Sequence, residues 1–257
     1  MDILKIENLN FSYLDYNIFD NLSFSIKEDS INAILGTNSS GKTTLIKILS
    51  GILFSNENVK LEDLMLTKKT INKYSKLIGV CLYDNFLFEN VVSELVFSLE
   101  NLNYSTKEID KRLKDVCSLF EIKNLKNKKI NKLNELEKVK VAIASAMIHQ
   151  PKVILLDDIF EKLSYEQYVE ISKYLNKLVE KYDMTILYTT NKLENCLFSD
   201  KVFFIDNGQI VLEGTVHEIL KHDNILAKNG LIIPIMIDLS LKLQFYGLVD
   251  EVIMDVE

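Results

Sequence analysis

The chain has 257 residues, of which 47% are hydrophobic and 26% charged, at a net charge of -7. That length and apolar content can bury a full core as one large domain or as one domain with a small appendage, and the second is expected here. The acidic balance argues against a general nucleic-acid binder, and no apolar run approaches the roughly 20 residues that cross a bilayer.

The opening, Met1 to Glu7, alternates like a strand and lacks a signal-peptide core, so a cytosolic or peripherally membrane-bound protein is expected. Cys81, Cys117 and Cys196 are odd in number and widely spaced, which predicts neither a disulfide framework nor a metal cluster and fits a reducing compartment. Residues 1–31 alternate polar and apolar around short turns (Leu4, Ile6, Leu9 and Phe11, then Leu22, Phe24 and Ile26), predicting an antiparallel sheet. An apolar strand, Ile31 to Leu35, then runs into Gly36-Thr37-Asn38-Ser39-Ser40-Gly41-Lys42-Thr43, with a helix-like run beginning near Thr44. This GxxxxGK[ST] pattern between strand and helix is a phosphate-binding loop. Its glycines let the backbone wrap phosphates, successive N–H groups and the helix N-terminus point at the anion, Lys42 reaches the β and γ oxygens, and the Thr43 hydroxyl ligates Mg²⁺. Binding of ATP or GTP follows.

Further along, Ser105 to Phe120 opens with the capping box Ser105-x-x-Glu108 and places Ile109, Leu113, Val116 and Phe120 on one face, predicting a helical insertion. The lysine-rich stretch 123–140 reads as a solvated face, with a specific anion or partner surface as the other reading. A second helix starts near Glu135. Val153 to Leu156 is an unbroken apolar strand of the kind buried on both faces of a parallel sheet, and it ends in Asp157-Asp158. Another buried strand is predicted at Thr185 to Tyr188, and Val202–Ile205, the Asn207-Gly208 turn and Ile210–Leu212 make a hairpin. Residues 222–257 read as a separate, mostly helical tail.

The order of these elements, from an aromatic residue ahead of the phosphate loop to the late hairpin, resembles the nucleotide-binding subunit of ABC transporters over residues 1–220. The resemblance implies an α/β P-loop nucleotide-binding domain with a mixed sheet core, an N-terminal antiparallel β subdomain, a helical insertion at 84–148 and a small C-terminal helical dimerisation extension, 221–257. It implies ATP and Mg²⁺ as ligands. Gly36, Asn38, Ser39, Ser40, Gly41, Lys42, Thr43 and Thr44 would surround the phosphates, Thr43 and Asp157 would hold the metal, and Tyr13 would stack on the adenine. A sheet-packing tyrosine is the lesser reading of Tyr13, and stacking there would hold guanine as well. Subunits of this kind sandwich ATP between the phosphate loop of one protomer and the signature motif of the other, and closure moves the membrane partners. Asn85 to Glu100, Gly208 to Thr215 and the tail around Ile225, Pro234 and Leu243 look like the ATPase subunits of energy-coupling factor (ECF) importers. That implies a peripheral position at the cytoplasmic face of the membrane. It also implies integral membrane transporter subunits and a second ATPase subunit, in a heterodimer, as partners, and no nucleic acid.

Several family positions depart from the pattern. Asp158 stands at the catalytic glutamate, one methylene shorter; Asn191 replaces the switch histidine and can donate a hydrogen bond but carry no charge; Tyr83 takes the glutamine position; Leu163-Ser164 replaces a Leu-Asp. The signature LSGGQ aligns with Leu133-Asn134-Glu135-Leu136-Glu137, without its glycines, and Asn134 with Glu137 reads instead as a capping box. Slow or partner-dependent ATP hydrolysis, with Asp158 and Asn191 as the catalytic residues, is the expectation. A hydrolysis-deficient regulatory or scaffold protein is the alternative. Phe86-Leu87-Phe88 falls at the groove that receives the membrane subunit, or serves as core of the insertion.

Overall fold

Alternation at the start of the chain produces two long strands, β1 (Asp2–Tyr13) and β2 (Tyr16–Lys27), joined by a two-residue turn and paired antiparallel. In this computed structural model, which describes residues 1–55, 58–82, 85–231, 233 and 235–248, the remaining elements follow in order. They are β3 (Ile31–Leu35), α1 (Lys42–Leu49), β4 (Val59–Leu61), β5 (Leu64–Met65), α2 (Ile71–Tyr74), β6 (Ile78–Leu82), α3 (Val91–Asn101), α4 (Thr106–Leu119) and α5 (Glu135–Met147). After these come β7 (Val153–Asp157), α6 (Tyr165–Tyr182), β8 (Thr185–Thr190), β9 (Lys201–Asp206), β10 (Gln209–Gly214), α7 (Val216–Leu220), α8 (Asp223–Lys228) and α9 (Ile235–Phe245).

Among the described residues the strands form two sheets. One is antiparallel, in the order β2-β1-β4-β5; the other runs β10-β9-β3-β8-β7-β6, parallel throughout except for the β9–β10 hairpin. The mixed α/β architecture expected from the sequence is thus present. Every residue of β3, β7 and β8 is buried, as unbroken apolar runs require when both sheet faces are covered. Alternate residues of β7 serve opposite cores: Val153 and Leu155 pack with the first sheet and α1, while Ile154 and Leu156 pack with α5 and α6. The helix after the phosphate loop begins at Lys42, two residues earlier than the apolar pattern places it.

The helical region is organised by its caps. Ser105 and Glu108 form the predicted capping box at α4, and Asn134 and Glu137 form the one at α5. Val116 and Phe120 are buried, with Ile109 and Leu113 packed beside them. The tail is not separate from this core, because Leu226, Leu231 and Ile237 pack into the same cluster as α5, α6 and the sheet. Pro234 lies outside the described residues, as does everything past 248. All three cysteines are free and buried, and no described helix is long and apolar enough to cross a membrane.

Gly79 in β6 sets how closely that strand approaches the end of α5. A Cβ there would lie 2.0 Å from the Ala146 carbonyl oxygen and 3.0 Å from the Pro151 ring. Gly79→Ala is therefore expected to destabilise the protein by about 1–3 kcal/mol through overpacking. A lowered urea midpoint at unchanged slope is the measurement that checks it.

Candidate nucleotide-binding site

Three neighbouring parallel strands, β3, β8 and β7, end at one edge of the sheet, so the residues that follow them converge: Gly36 after Leu35, Asn191 after Thr190, and Asp158 after Asp157. The carboxyl edge of such a sheet is where open α/β folds bind ligands. The Gly36 N–H donates to the Thr190 carbonyl at 3.1 Å, fixing the start of the loop against β8. A Cβ at Gly36 would sit 2.5 Å from the Ser40 hydroxyl and 2.6 Å from the Ile205 carbonyl, so the loop's return path requires glycine there. Ser39 and Gly41 have φ of 68° and 101°, left-handed positions that curl a backbone into an anion-binding nest.

Lys42 is 5% exposed and donates to the carbonyls of Gly36 and Thr37 at 2.9 and 2.8 Å. Burial pushes its ammonium below the usual lysine range, opposed by the charges of Asp158, Asp157 and Glu161. Asp157, also buried, is pushed up by desolvation and by Asp158, while hydrogen bonds from Thr189 and Thr43 and the charge of Lys42 hold it down. Thr43 and Asp157, the two oxygen donors that the sequence assigns to a metal, are near neighbours, the Thr43 hydroxyl offsetting part of the upward push on the Asp157 carboxyl. Oxygen donors of this type suit Mg²⁺. The Ser40 hydroxyl is buried with no hydrogen-bond partner among the described residues, an orphan donor inside the loop. A cationic nest, an unpaired hydroxyl and a Thr–Asp pair fit a magnesium–triphosphate.

Around this cradle the catalytic candidates are tied down. The Thr189 hydroxyl lies 2.8 Å from Asp157 Oδ1 and 3.1 Å from Asp158 Oδ1, and accepts the Asp158 N–H at 2.8 Å. Asp158, at φ 49°, is thereby folded back on β8. Asn191 Nδ2 donates to Asn38 Oδ1 at 3.2 Å, linking the end of β8 to the phosphate loop. Thr189 escaped the sequence reading; the signal was its position two residues before Asn191 on a strand whose register sets it beside Asp157. Ser164 caps α6 by accepting the Gln167 N–H.

A cavity of about 400 Å³ surrounds the loop and is lined by Asn38, Ser39, Gly41, Lys42, Thr43, Thr44 and Asp158, together with Tyr16 and Ile18 of β2. Tyr13 does not line it; its ring packs edge-on against Phe11, with centroids 5.0 Å apart. Tyr83 lies outside the described residues. A second groove of about 400 Å³ runs between β6, α3 and α5, with Leu87, Phe97, Glu94 and His149 in its wall. Phe86 packs against the core, whereas Leu87 is 65% exposed along the groove and Phe88 pairs with Phe97. Glu94 accepts the Leu87 and Phe88 N–H groups at 2.9 and 3.0 Å, and burial raises its pKa despite them. Ser98 Oγ and His149 Nδ1 are buried here without a partner among the described residues. At the N-terminus of α5, Asn134 Oδ1 accepts the Glu137 N–H at 2.8 Å and Glu137 accepts the Asn134 N–H at 3.0 Å. Lys128 pairs with Glu137 and Lys138 with Glu135, at 3.4 and 2.9 Å.

Comparison with known proteins agrees with this arrangement. The family model described as ABC transporter matches residues 19–161, more than half of the chain. The energy-coupling factor transporter ATP-binding protein EcfA1 of Leuconostoc mesenteroides is 28% identical, across 93% of this chain and 90% of its own length. The corresponding EcfA protein of Pediococcus pentosaceus is 29% identical, across 90% of this chain and 85% of its own. Among solved structures, cbiO1 from Clostridium perfringens, part of the ABC transporter complex cbiONQ, superposes with a TM-score of 0.80 at 29% identity, covering 96% of this chain and 97% of that one.

Because Asp157 is raised and Lys42 lowered, binding of a magnesium–nucleotide at this site is expected to have two pH limits. On the acid side Asp157 takes up its proton above the ordinary value of 3.8, so magnesium-dependent affinity falls earlier than for a free aspartate. On the alkaline side Lys42 loses its proton below 10.5, so affinity for the anion declines before an ordinary lysine would titrate. Titration calorimetry across pH, with and without magnesium, checks both limbs; Asp157→Asn is expected to remove the magnesium-dependent part at every pH.

Proposed function

The chain belongs to the ABC transporter family, and from that premise we propose that it is the ATP-binding subunit of a membrane importer of the energy-coupling factor class. The observation that carries the reading is the buried Lys42 beside the Thr43–Asp157 pair at the mouth of a left-handed loop. Gly36, Asn38 and residues 39–44 hold the triphosphate, and Thr43 and Asp157 hold Mg²⁺, which supplies charge neutralisation at the phosphoryl oxygens. Asp158 is the group that can orient an attacking water. Its carboxylate is one methylene short of a glutamate and shares the Thr189 hydroxyl with Asp157, so it reaches less far and hydrolysis is slow. Asn191 positions the phosphate loop through Asn38 and brings no positive charge to the γ-phosphate.

At the N-terminus of α5 the capping box takes the N–H groups of Asn134 and Glu137, and Glu135 and Glu137 add negative charge where a facing nucleotide would present its own. Turnover on this chain's loop therefore depends on a second ATPase subunit that supplies a glycine signature, which makes the working assembly a heterodimer. The groove between β6, α3 and α5 receives the integral membrane subunits, holding the protein at the cytoplasmic face. The capped α5 also favours a second reading, a nucleotide-binding regulatory subunit without turnover.

These readings separate in one experiment. Mg-ATP binding to the purified chain is measured at equilibrium, and phosphate release is followed with and without an intact ECF-type ATPase subunit from the same genome. Binding by the chain alone, with release only in the presence of the partner, is expected; binding with no release in either case selects the regulatory subunit. Lys42→Ala is expected to abolish binding. In the mixed complex, Asp158→Glu with Asn191→His is expected to raise turnover at least about tenfold, and an unchanged rate would remove the roles given to those positions.

A further inference from the structure

We propose that the lysine-rich segment 123–133, with Leu87 at its edge, is a docking surface for anionic lipid headgroups. The inference rests on the membrane position in the reading above and names the part of this chain that meets the bilayer. Lys123, Lys126, Lys128, Lys129 and Lys132 fall within the segment and no Asp or Glu does, in a chain whose net charge is -7. It is anchored from below: Ile122, Leu125, Ile130 and Leu133 are buried in the core, and two short helical turns, Lys123–Leu125 and Ile130–Lys132, carry the chain from α4 toward α5. With these apolar positions turned in, Lys123, Lys128, Lys129 and Lys132 are exposed and Lys126 is partly buried. Lys128 pairs with Glu137 and Lys129 with Glu89, the second through two exposed side chains, where an ion pair contributes little. Lys123, Lys126 and Lys132 enter no ion pair among the described residues. Glu121, just before the segment, lies close enough to Tyr174 of α6 to add to the upward push that burial gives that phenol.

The backbone sets this charge beside an apolar edge. The Ile130 N–H donates to the Glu89 carbonyl at 2.7 Å and the Val91 N–H to the Lys128 carbonyl at 3.3 Å, while Asn90 bridges antiparallel to Lys129. Leu87, two residues before Glu89, is 65% exposed in the wall of the groove between β6, α3 and α5. The groove assigned to the membrane subunits and the unpaired lysines therefore share one strip of chain. Lysines draw a surface of anionic headgroups within a Debye length, and an apolar side chain beside them enters the boundary between headgroups and acyl chains. The exposed Leu87 is what favours lipid over an acidic polypeptide, which offers no such boundary. The rest of the chain, more acidic than the whole, is repelled by the same bilayer, so the basic segment fixes which face approaches. A few lysines hold a free protein weakly, but next to a groove that engages a membrane protein the contact is intramolecular and adds to that engagement.

The test follows co-sedimentation of the full chain with phosphatidylglycerol vesicles and with phosphatidylcholine vesicles, at low and at physiological ionic strength. Binding to the first alone, weakening as salt rises, is expected. The triple variant Lys123→Gln, Lys126→Gln, Lys132→Gln is expected to lower partition by about fivefold per lysine, roughly a hundredfold in all, with Mg-ATP affinity unchanged. Leu87→Ser is expected to lower the binding that survives at physiological salt, where the lysines are screened. The control triple Lys68→Gln, Lys69→Gln, Lys73→Gln removes the same charge around α2 and is expected to stay near wild type. Equal partition into the two kinds of vesicle overturns the assignment, as does an equal loss from the control triple or unchanged binding in either the lysine triple or Leu87→Ser. Polyglutamate bound as tightly as the vesicles, and released by the same lysine triple, overturns it in favour of an acidic polypeptide. Absence of vesicle binding by a chain that binds Mg-ATP removes the lipid surface and leaves the nucleotide site standing, whereas absence of Mg-ATP binding defeats the proposed function itself.

Discussion

A lysine and an aspartate are both taken out of water at one edge of a parallel sheet, and the rest of the site depends on that burial. Removing Lys42 and Asp157 from solvent disfavours their charged forms, which is why one is lowered and the other raised. The carbonyls of Gly36 and Thr37 and the hydroxyls of Thr43 and Thr189 offset part of this cost, but they are neutral dipoles. A magnesium–triphosphate offers what neutral dipoles cannot, full negative charge at the lysine and full positive charge at the aspartate. On the proposed reading, nucleotide affinity is built into the free protein as incompletely compensated desolvation. The geometry that maintains it comes from three strands buried on both faces, whose ends cannot move apart without opening the core.

The departures around this centre share a physical theme: groups that would act on the nucleotide are satisfied within the chain. Thr189 engages both aspartates, and Asn191 is linked to Asn38. A helix N-terminus has a fixed number of free N–H groups, and each can be satisfied by a side chain or by an external anion but not fully by both. At α5 the side chains of Asn134 and Glu137 have taken that role, and glycines that would let a phosphate approach the backbone are missing. Capping by side chains stabilises α5, and an anion at the same N–H groups would have to displace those side chains.

Much of this was legible in the sequence because each signal was local. The phosphate loop is specified by residue types at fixed spacing, the capping boxes by pairs three residues apart, and β7 and β8 by unbroken apolar runs. What the sequence concealed was decided by contacts between distant segments. Tyr13 and Tyr16 are both aromatic residues ahead of the loop, and Tyr16 lines the cavity while the Tyr13 ring packs on Phe11. Phe86 and Leu87 are neighbours in sequence that go to core and groove respectively. The tail's short apolar runs gave no indication of what they cover, and Leu226, Leu231 and Ile237 join the main core because α7 returns the chain to it.

The asymmetry between a complete cradle and a closed helix end has an energetic consequence for assembly. A nucleotide bound on this chain's loop obtains its phosphate contacts from the chain itself, so binding does not require a second copy. Closure of a dimer over that nucleotide draws on the opposing subunit's helix. The reverse face contributes less on this reading, since the start of α5 presents the carboxylates of Glu135 and Glu137, paired with Lys138 and Lys128. Two copies of this chain would therefore lose the anion contact at both interfaces, whereas one copy with a glycine-bearing partner loses it at one. Binding linked to assembly shifts an equilibrium only by the difference in affinity between the states. Under the proposed function, the pairing that retains one full anion contact is the one in which nucleotide drives closure.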